Sequence, residues 1–293
     1  MLALTILRGG GTLRRSIVLS GNMNRFSQGG LTMNIEATIT GMFCRIDDMM
    51  TGIRKHPQAL LYPSEVVTLG CLFALKGKGT RAFYRWIRDN YRYLFPRLPS
   101  RTRLFRLFAK HWDWSKQLLA DPTVFGVIDA YGIEFIHPIR EGRSDRQIGK
   151  KGMSNHRWIV GGKLCLLLNK WGFVVGWECD TANVSDITFH PLISEVEDRM
   201  IVFSDTAFHA KEGDPTNLKL CPKGHWNERM IVETVLSMLT VVCHFKHMRH
   251  YVWSAVKAHL AFGMGLFNLL AQWDGVEVDE HGFLALSIAE FSL

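Results

Sequence analysis

Three acids stand at positions where a carboxylate could do chemistry. Asp129 closes the apolar run Val124-Phe-Gly-Val-Ile, which reads as a short buried strand. Asp205 closes a second run, Met200-Ile-Val-Phe-Ser204. Glu233 interrupts a largely apolar stretch with helical spacing. Residues at the strand ends of an open α/β sheet line its functional crevice. Carboxylate oxygens suit hard divalent cations, and Mg²⁺ takes only a few of them while keeping water and phosphate oxygens. Two such ions can activate a water and stabilise the leaving oxygen of a phosphodiester. Taken singly, each Asp reads equally well as the polar end of a strand, and Glu233 as half of a surface ion pair. The specific signal is the three together, in this order.

The stretch around Glu233 offers more than one carboxylate. Trp226, Arg229 and Glu233 are spaced i, i+3, i+7, which puts them on one face of a helix. Arg229, one turn before the acid, can pair with it or hold a phosphate.

Charge singles out two other regions. The net charge of +8 is unevenly spread. From Lys76 to Lys116 twelve Lys and Arg face only Asp89 and Asp113, and from His137 to Lys170 eight face only Glu141 and Asp145. The rest of the chain is net acidic, so the two blocks read as footprints for a polyanion. In the first block Tyr84, Trp86, Tyr91 and Tyr93 alternate with cations, among them Arg81, Arg85 and Arg88. Phosphates and flat bases together suit such mixing, while a solvated helix face with core aromatics accounts for it equally well. The second block contains Arg140, Arg143, Arg146, Lys150 and Lys151, expected on a loop (Pro138–His156) beyond the first acid's strand.

The remaining composition excludes several classes. The chain has 293 residues, 47% hydrophobic and 21% charged, which fits a folded protein rather than a disordered or collagenous one. Six scattered cysteines without a C-x-x-C pair argue for a reducing compartment. Cys221-x3-His225 with Cys243, His244 and His247 matches no standard zinc spacing. Tyr251–Trp273 is mostly apolar but carries Lys257, His259, Asn268 and Gln272, and reads as a buried helix rather than a membrane span. No cleavable signal is expected. Gln28-Gly-Gly30 can be encoded by a purine-rich run of the kind that recruits a bacterial ribosome. This points to translation beginning at Met33, with Met23 as second candidate, and leaves 1–32 upstream of the start or as a flexible tail.

The elements that must position these residues follow from periodicity. Residues 34–120 read as a basic, all-helical module of three or four helices. One opens near Ser64-Glu65 after Pro63, one runs from Thr80 to about Leu94, and one from Ser100 through Trp114. Residues 121–274 read as a mixed α/β domain. Its strands are the run ending at Asp129, with Ile133–His137 continuing or pairing with it, then Trp158–Leu168 and Phe173–Cys179 joined at Asn169-Lys-Trp-Gly172. A helix from Ser185-Asp186 to about Val196 comes next, then the strand ending at Asp205 and a short one at Leu218–Cys221. Helices over Asn227–Phe245 and Trp253–Gln272 complete it, with 275–293 as a tail.

With these residues assembled, the sequence resembles the bacterial insertion-sequence transposases with a DDE catalytic core of the ribonuclease-H-like, retroviral-integrase superfamily. Val-Ile-Asp129 matches the first acid of that family. Phe-Ser-Asp205-Thr-Ala-Phe208 resembles its Asp-x-Gly-Tyr/Phe, with Ala207 replacing glycine. The family's Tyr-x2-Arg-x3-Glu-x6-Lys is similar to Trp226-x2-Arg229-x3-Glu233-x6-Thr240 here. Gly162-Lys163-Leu164, Thr181-Ala-Asn-Val-Ser-Asp186, Pro63-Ser-Glu65 and Phe95-Pro-Arg-Leu98 also look like family segments, so the likeness covers about Asn34 to Trp273. Trp226 lacks the tyrosine hydroxyl. Thr240 removes a lysine phosphate contact, for which Lys163 or Lys246 would have to substitute. Asp205 and Glu233 are too close in sequence for a large insertion domain between them.

The resemblance implies a ribonuclease-H-like mixed sheet flanked by helices, with Asp129, Asp205 and Glu233 holding two Mg²⁺ or Mn²⁺ ions. It implies cutting of the ends of a mobile element and joining of the freed 3′-hydroxyls to target DNA. The partners would be double-stranded DNA, as terminal repeats and target, and further copies of the chain assembled on it. No membrane partner is expected, and the location would be the bacterial cytoplasm, at the nucleoid. Arg229, Trp226, Lys163, the five cations of the loop and Arg81, Arg85 and Arg88 would hold DNA. Two other readings share these features: an inactive relic that only binds DNA, and a ribonuclease-H-like nuclease without strand transfer.

Overall fold

The computed structural model describes residues 35–154, 156–222, 229–245 and 252–273, with Gly275, Ile288 and Phe291. The candidate start codons, Trp226, His225, Lys246 and His247 lie outside the described residues.

The helical part begins with α1 (Ile35–Met49), α2 (Pro63–Lys76), α3 (Thr80–Asn90) and α4 (Arg101–Lys110), followed by a 3₁₀ helix, Trp112–Leu118. Pro63 occupies the first turn of α2, where its missing N–H costs nothing. The Glu65 carboxylate accepts the Tyr62 N–H (2.6 Å). Gly77, at φ 57°, ends the helix in the left-handed conformation glycine tolerates. α3 ends at Asn90, short of the expected Leu94, and α4 stops before Trp114, giving way to the 3₁₀ helix.

The sheet contains β1 (Phe125–Ile136), β2 (Lys150–Ser154), β3 (Arg157–Asn169), β4 (Val174–Thr181), β5 (Ile201–Ser204) and β6 (Leu218–Leu220). Its order is β2-β3-β1-β5-β6, with β4 also paired to β3. β2 and β4 share one edge of β3, β2 along 157–161 and β4 along 162–168. β1 pairs antiparallel with β3, while β5 and β6 run parallel to β1. The β3–β4 turn is the one expected: the Asn169 side chain accepts the N–H groups of Trp171 and Phe173, and Gly172 takes φ 84°.

Of the two alternatives for Ile133–His137 the strand continues, because antiparallel pairing of β1 with β3 spans Gly126 to Ile136. Two expectations are corrected. The segment Lys150–Ser154 is strand β2 rather than loop, held by pairing to β3. The helix after Ser185 is broken into a 3₁₀ turn, Asp186–Phe189, and α5 (His190–Ser194), because Pro191 supplies no N–H donor.

α6 (Arg229–Val241) and α7 (Trp253–Ala271) complete the fold. α7 is long and apolar enough to cross a membrane by composition alone, yet 78% of its apolar window is buried inside the molecule. A helix that is apolar all round must be covered on every side. α7 meets α2, α4, the 3₁₀ helix and β4. One hydrophobic core therefore runs from Ile39 and Leu72 in the helical part through Phe262 and Phe267 to Leu164 and Leu166 on the sheet. The opposite sheet face has a smaller core of Ile128, Cys165, Leu167, Val202, Ile193 and Phe208.

Candidate functional site

Parallel pairing of β1 with β5 runs through Phe125↔Ile201, Gly126↔Val202 and Val127↔Phe203. Asp129 and Asp205 each lie two residues beyond the last of these pairs, Asp129 within β1 and Asp205 just past the end of β5. Side chains alternate along a strand, so Asp129 shares a face with Val127 and Tyr131, and Asp205 with Phe203. The two faces are the same one, since Phe125 and Phe203 meet with ring centroids 5.9 Å apart. Asp129 does not end its own strand. It marks the point where β5 stops and β1 continues beside β3 alone, which opens a crevice of the kind expected at a strand end.

Both carboxylates are oriented by backbone. Asp129 Oδ1 accepts the Ala130 N–H (2.8 Å). Asp205 Oδ1 accepts the Ala207 N–H (2.9 Å) as the cap of the 3₁₀ turn Thr206–Phe208. Ala207 is not among the residues with left-handed backbone, so alanine sits there without strain. In the loop beyond, Asp214 accepts hydrogen bonds from Ala210 N–H (2.7 Å) and His209 Nδ1 (2.8 Å), which hold its carboxyl below the usual range.

α6 crosses the same face of the sheet. Val232, Val235 and Leu239 enter the main core. Leu236 and Thr240 line a small cleft with Tyr131, Gly132, Ile133 and Phe245. Glu233 is exposed, one turn before Leu236 on that stripe. Among the described residues no three His, Cys, Asp or Glu side chains come together as a metal site. The fold sets Asp129 and Asp205 two residues beyond the last paired positions of neighbouring strands, and Glu233 on the helix that crosses that face of the sheet. Arg229 is the first residue of α6, and its side chain, like Trp226, lies outside the described residues.

Lys163 points the other way. It stands opposite Gly132 on the face of Cys165 and Leu167, and its Nζ meets Asp186 Oδ1 at 3.0 Å with both side chains mostly covered. In sequence Asp186 marks a helix start and the end of the family-like segment Thr181–Asp186, and nothing in its spacing identifies it as a lysine partner.

The cations of the second basic block are on the surface. Arg140, Arg143 and Arg146 are exposed before β2, and Lys150 and Lys151 are exposed on it. Lys151 reaches Glu141 (3.6 Å) and lies over the Trp158 ring (5.5 Å). In the first block Arg81, Arg85 and Arg88 form the exposed face of α3, opposite buried Phe83 and Ile87. Arg88 hydrogen-bonds Asp89, which raises the guanidinium pKa and lowers that of the carboxyl. The interleaved aromatics are largely structural: Tyr84 donates to Pro99 O (2.9 Å), and Trp86 packs between Phe83 and Tyr91 with Lys76 over its ring.

Compared with protein-family models and with curated proteins, the chain matches none.

Proposed function

We propose that this chain is a DNA transposase of the bacterial insertion-sequence type, with a ribonuclease-H-like catalytic core that cuts element ends and joins them to target DNA. The observation that carries the reading is that Asp129 and Asp205 follow the paired segments of adjacent parallel strands β1 and β5, with the helix bearing Glu233 packed against β1. The strand count agrees: when the short β2 is set aside, Asp205 follows the fourth strand, where the family has its second acid.

Two hard carboxylates at one crevice fit a Mg²⁺ or Mn²⁺ ion that completes its shell with water and substrate phosphate. Glu233, on the helix across the same face, is the third carboxylate that would complete the set for a second ion. A bound ion would supply Lewis-acid polarisation of the phosphoryl oxygens and a more acidic water. The chain's own part is to hold the carboxylates in place through the Ala130 and Ala207 amides and to fix the duplex by its surface cations. Double-stranded DNA at the bacterial nucleoid and a multimer assembled on two element ends follow from this reading.

The test is a strand-transfer assay on a plasmid carrying the terminal repeats that flank the gene. Wild type should excise and join in Mg²⁺ or Mn²⁺, and Asp129→Ala, Asp205→Ala and Glu233→Ala should do neither. Cleavage without joining would support the nuclease reading, and binding without cleavage the relic.

A further inference from the structure

Beyond Asp205 the chain builds a second arrangement of titratable groups. Asp205 caps the start of the 3₁₀ turn Thr206–Phe208 and His209 closes it, its N–H on Thr206 O (3.2 Å). At about 2 Å of rise per residue, the Cα atoms of Asp205 and His209 are about 8 Å apart. Phe208 is buried in the smaller core, and the His190 Nε2–H donates to its carbonyl oxygen (2.6 Å), which anchors the turn. The His209 Nδ1–H donates to Asp214 Oδ2 (2.8 Å), while Asp214 Oδ1 takes the Ala210 N–H. A carboxylate on Nδ1 sets the tautomer and leaves Nε2 to act. The imidazole is 58% exposed and its carboxylate partner only 22%. Among the described residues Asp214 is the one hydrogen-bond partner of the His209 side chain. The other charged groups nearby are His190 on α5, Asp186 on the neighbouring 3₁₀ turn, paired with Lys163, and Lys211 and Glu212, exposed in the loop between His209 and Asp214.

We propose that His209, oriented by Asp214, carries the proton of the 3′-oxygen that is first cut free and then joined. This rests on the reading of the chain as a transposase. In cutting, a water oxygen bonds to phosphorus and the P–O3′ bond breaks. The imidazolium Nε2–H gives its proton to the departing 3′-oxygen, and the water's own proton passes to solvent. In joining, the neutral Nε2 takes that proton back as the 3′-oxygen bonds to a target phosphorus. The target's P–O3′ bond breaks, and its oxygen takes a proton from solvent. One oxygen thus needs an acid and then a base. A single imidazole supplies both, because histidine changes charge near neutral pH. Asp214 is a positioning residue that acts through the imidazole and stabilises its charged form.

Duplexes carrying the element end, cut by the full chain in Mn²⁺, test this with two scissile linkages. One is natural. The other has sulfur in place of the bridging 3′-oxygen and leaves as a thiolate, which needs no proton. His209→Asn keeps a donor for Asp214 in place of Nδ1 but has no ring to titrate. It should cut the oxygen linkage about 10²-fold more slowly than wild type, and the sulfur linkage within about threefold of wild type. Wild-type cutting should fall as pH rises from about 5 to 8, joining of precut ends should rise over that range, and His209→Asn should show neither trend. Asp214→Asn should move both transitions to lower pH, since the imidazolium loses its counter-ion. Equal losses on both linkages would make His209 a brace for its loop and overturn the proposal. The same pH dependence in wild type and His209→Asn would also overturn it. A wild type that cuts and joins, matched by His209→Asn on the oxygen linkage, removes the proton role and leaves the transposase reading. A wild type that cuts neither linkage removes both.

Discussion

Asp129 and Asp205 each lie two residues beyond Val127 and Phe203, the last residues paired between the parallel strands β1 and β5. Carboxylate oxygens so placed suit a hard divalent cation. A divalent cation bound there stabilises the folded chain by linkage. The thermal midpoint should rise with Mg²⁺ or Mn²⁺ concentration. D129N and D205N should abolish that rise and should reduce strand cleavage on the order of 10³-fold or more. A metal-induced rise of equal size in both variants would remove the pair as the binding site.

Lys163 behaves as a structural cation. Its partner Asp186 is as well covered as it is, so K163M should cost about 1–2 kcal/mol of stability by leaving that carboxylate without its counter-ion. The dependence of DNA affinity on salt should not change. A flattened dependence in K163M would return this lysine to the DNA-binding surface.

The exposed cations before and on β2 should give the opposite pattern. Neutralising Arg140, Arg143, Arg146, Lys150 and Lys151 together should leave the melting midpoint nearly unchanged. It should weaken binding to all DNA sequences alike and reduce the slope of log Kd against log salt by about 0.9 for each phosphate that is no longer neutralised. Unchanged affinity and slope would mean that the duplex lies elsewhere.

Thiol chemistry reads out the burial. Cys44 is exposed and Cys221 half-buried, while Cys71, Cys165, Cys179 and Cys243 are buried. Burial pushes the Cys179 and Cys243 thiols up to about 12 and raises those of Cys71 and Cys165 as well. The thiolate is the reactive form. A chromogenic disulfide at pH 8 should therefore label only Cys44 and Cys221 in the native protein, and raising the pH toward 9.5 should not recruit the other four. Prompt labelling of all six cysteines at pH 8 would contradict this core.

Gly161 is demanded by a close approach. It pairs with Glu134 where the β1–β3 register slips, so that Ile136 takes Val160 as its partner. A methyl group there would run into the Ile133 carbonyl oxygen. G161A should destabilise by at least about 2 kcal/mol. G52A, which meets nothing within 4 Å, should be close to neutral. Equal midpoints for the two variants would show that the bulge yields freely.

Most of the sheet was legible from runs of Val, Ile, Leu and Phe, and the β3–β4 turn from Asn169 and Gly172. Two parts were not. Lys150-Lys-Gly-Met-Ser154 has one large apolar residue, so no alternation announces β2, and only its pairing with β3 makes it a strand. Asp129-Ala-Tyr-Gly132 reads as a break because Asp and Gly are poor strand formers, yet ten paired positions on β3 override that preference. The acid pair could be chosen from local context because each acid follows an apolar run. That both follow the same paired segment could not, because register is a property of two strands together. Arg81, Arg85 and Arg88 were legible as one face of a helix, whereas Tyr84 and Trp86 look the same in sequence whether they meet a base or a core.

α7 covers the inner surface of α2 and α4 from the far end of the chain. During synthesis the helical part leaves the ribosome first, but the side of α2 bearing Gly70, where the Phe262 ring packs, stays uncovered until Trp253–Ala271 follows. Nearly two hundred residues must be made in the interval. These helices, made before the sheet, are therefore covered only after it. A fragment ending before α7 should engage chaperones and aggregate rather than persist as a separate DNA-binding unit.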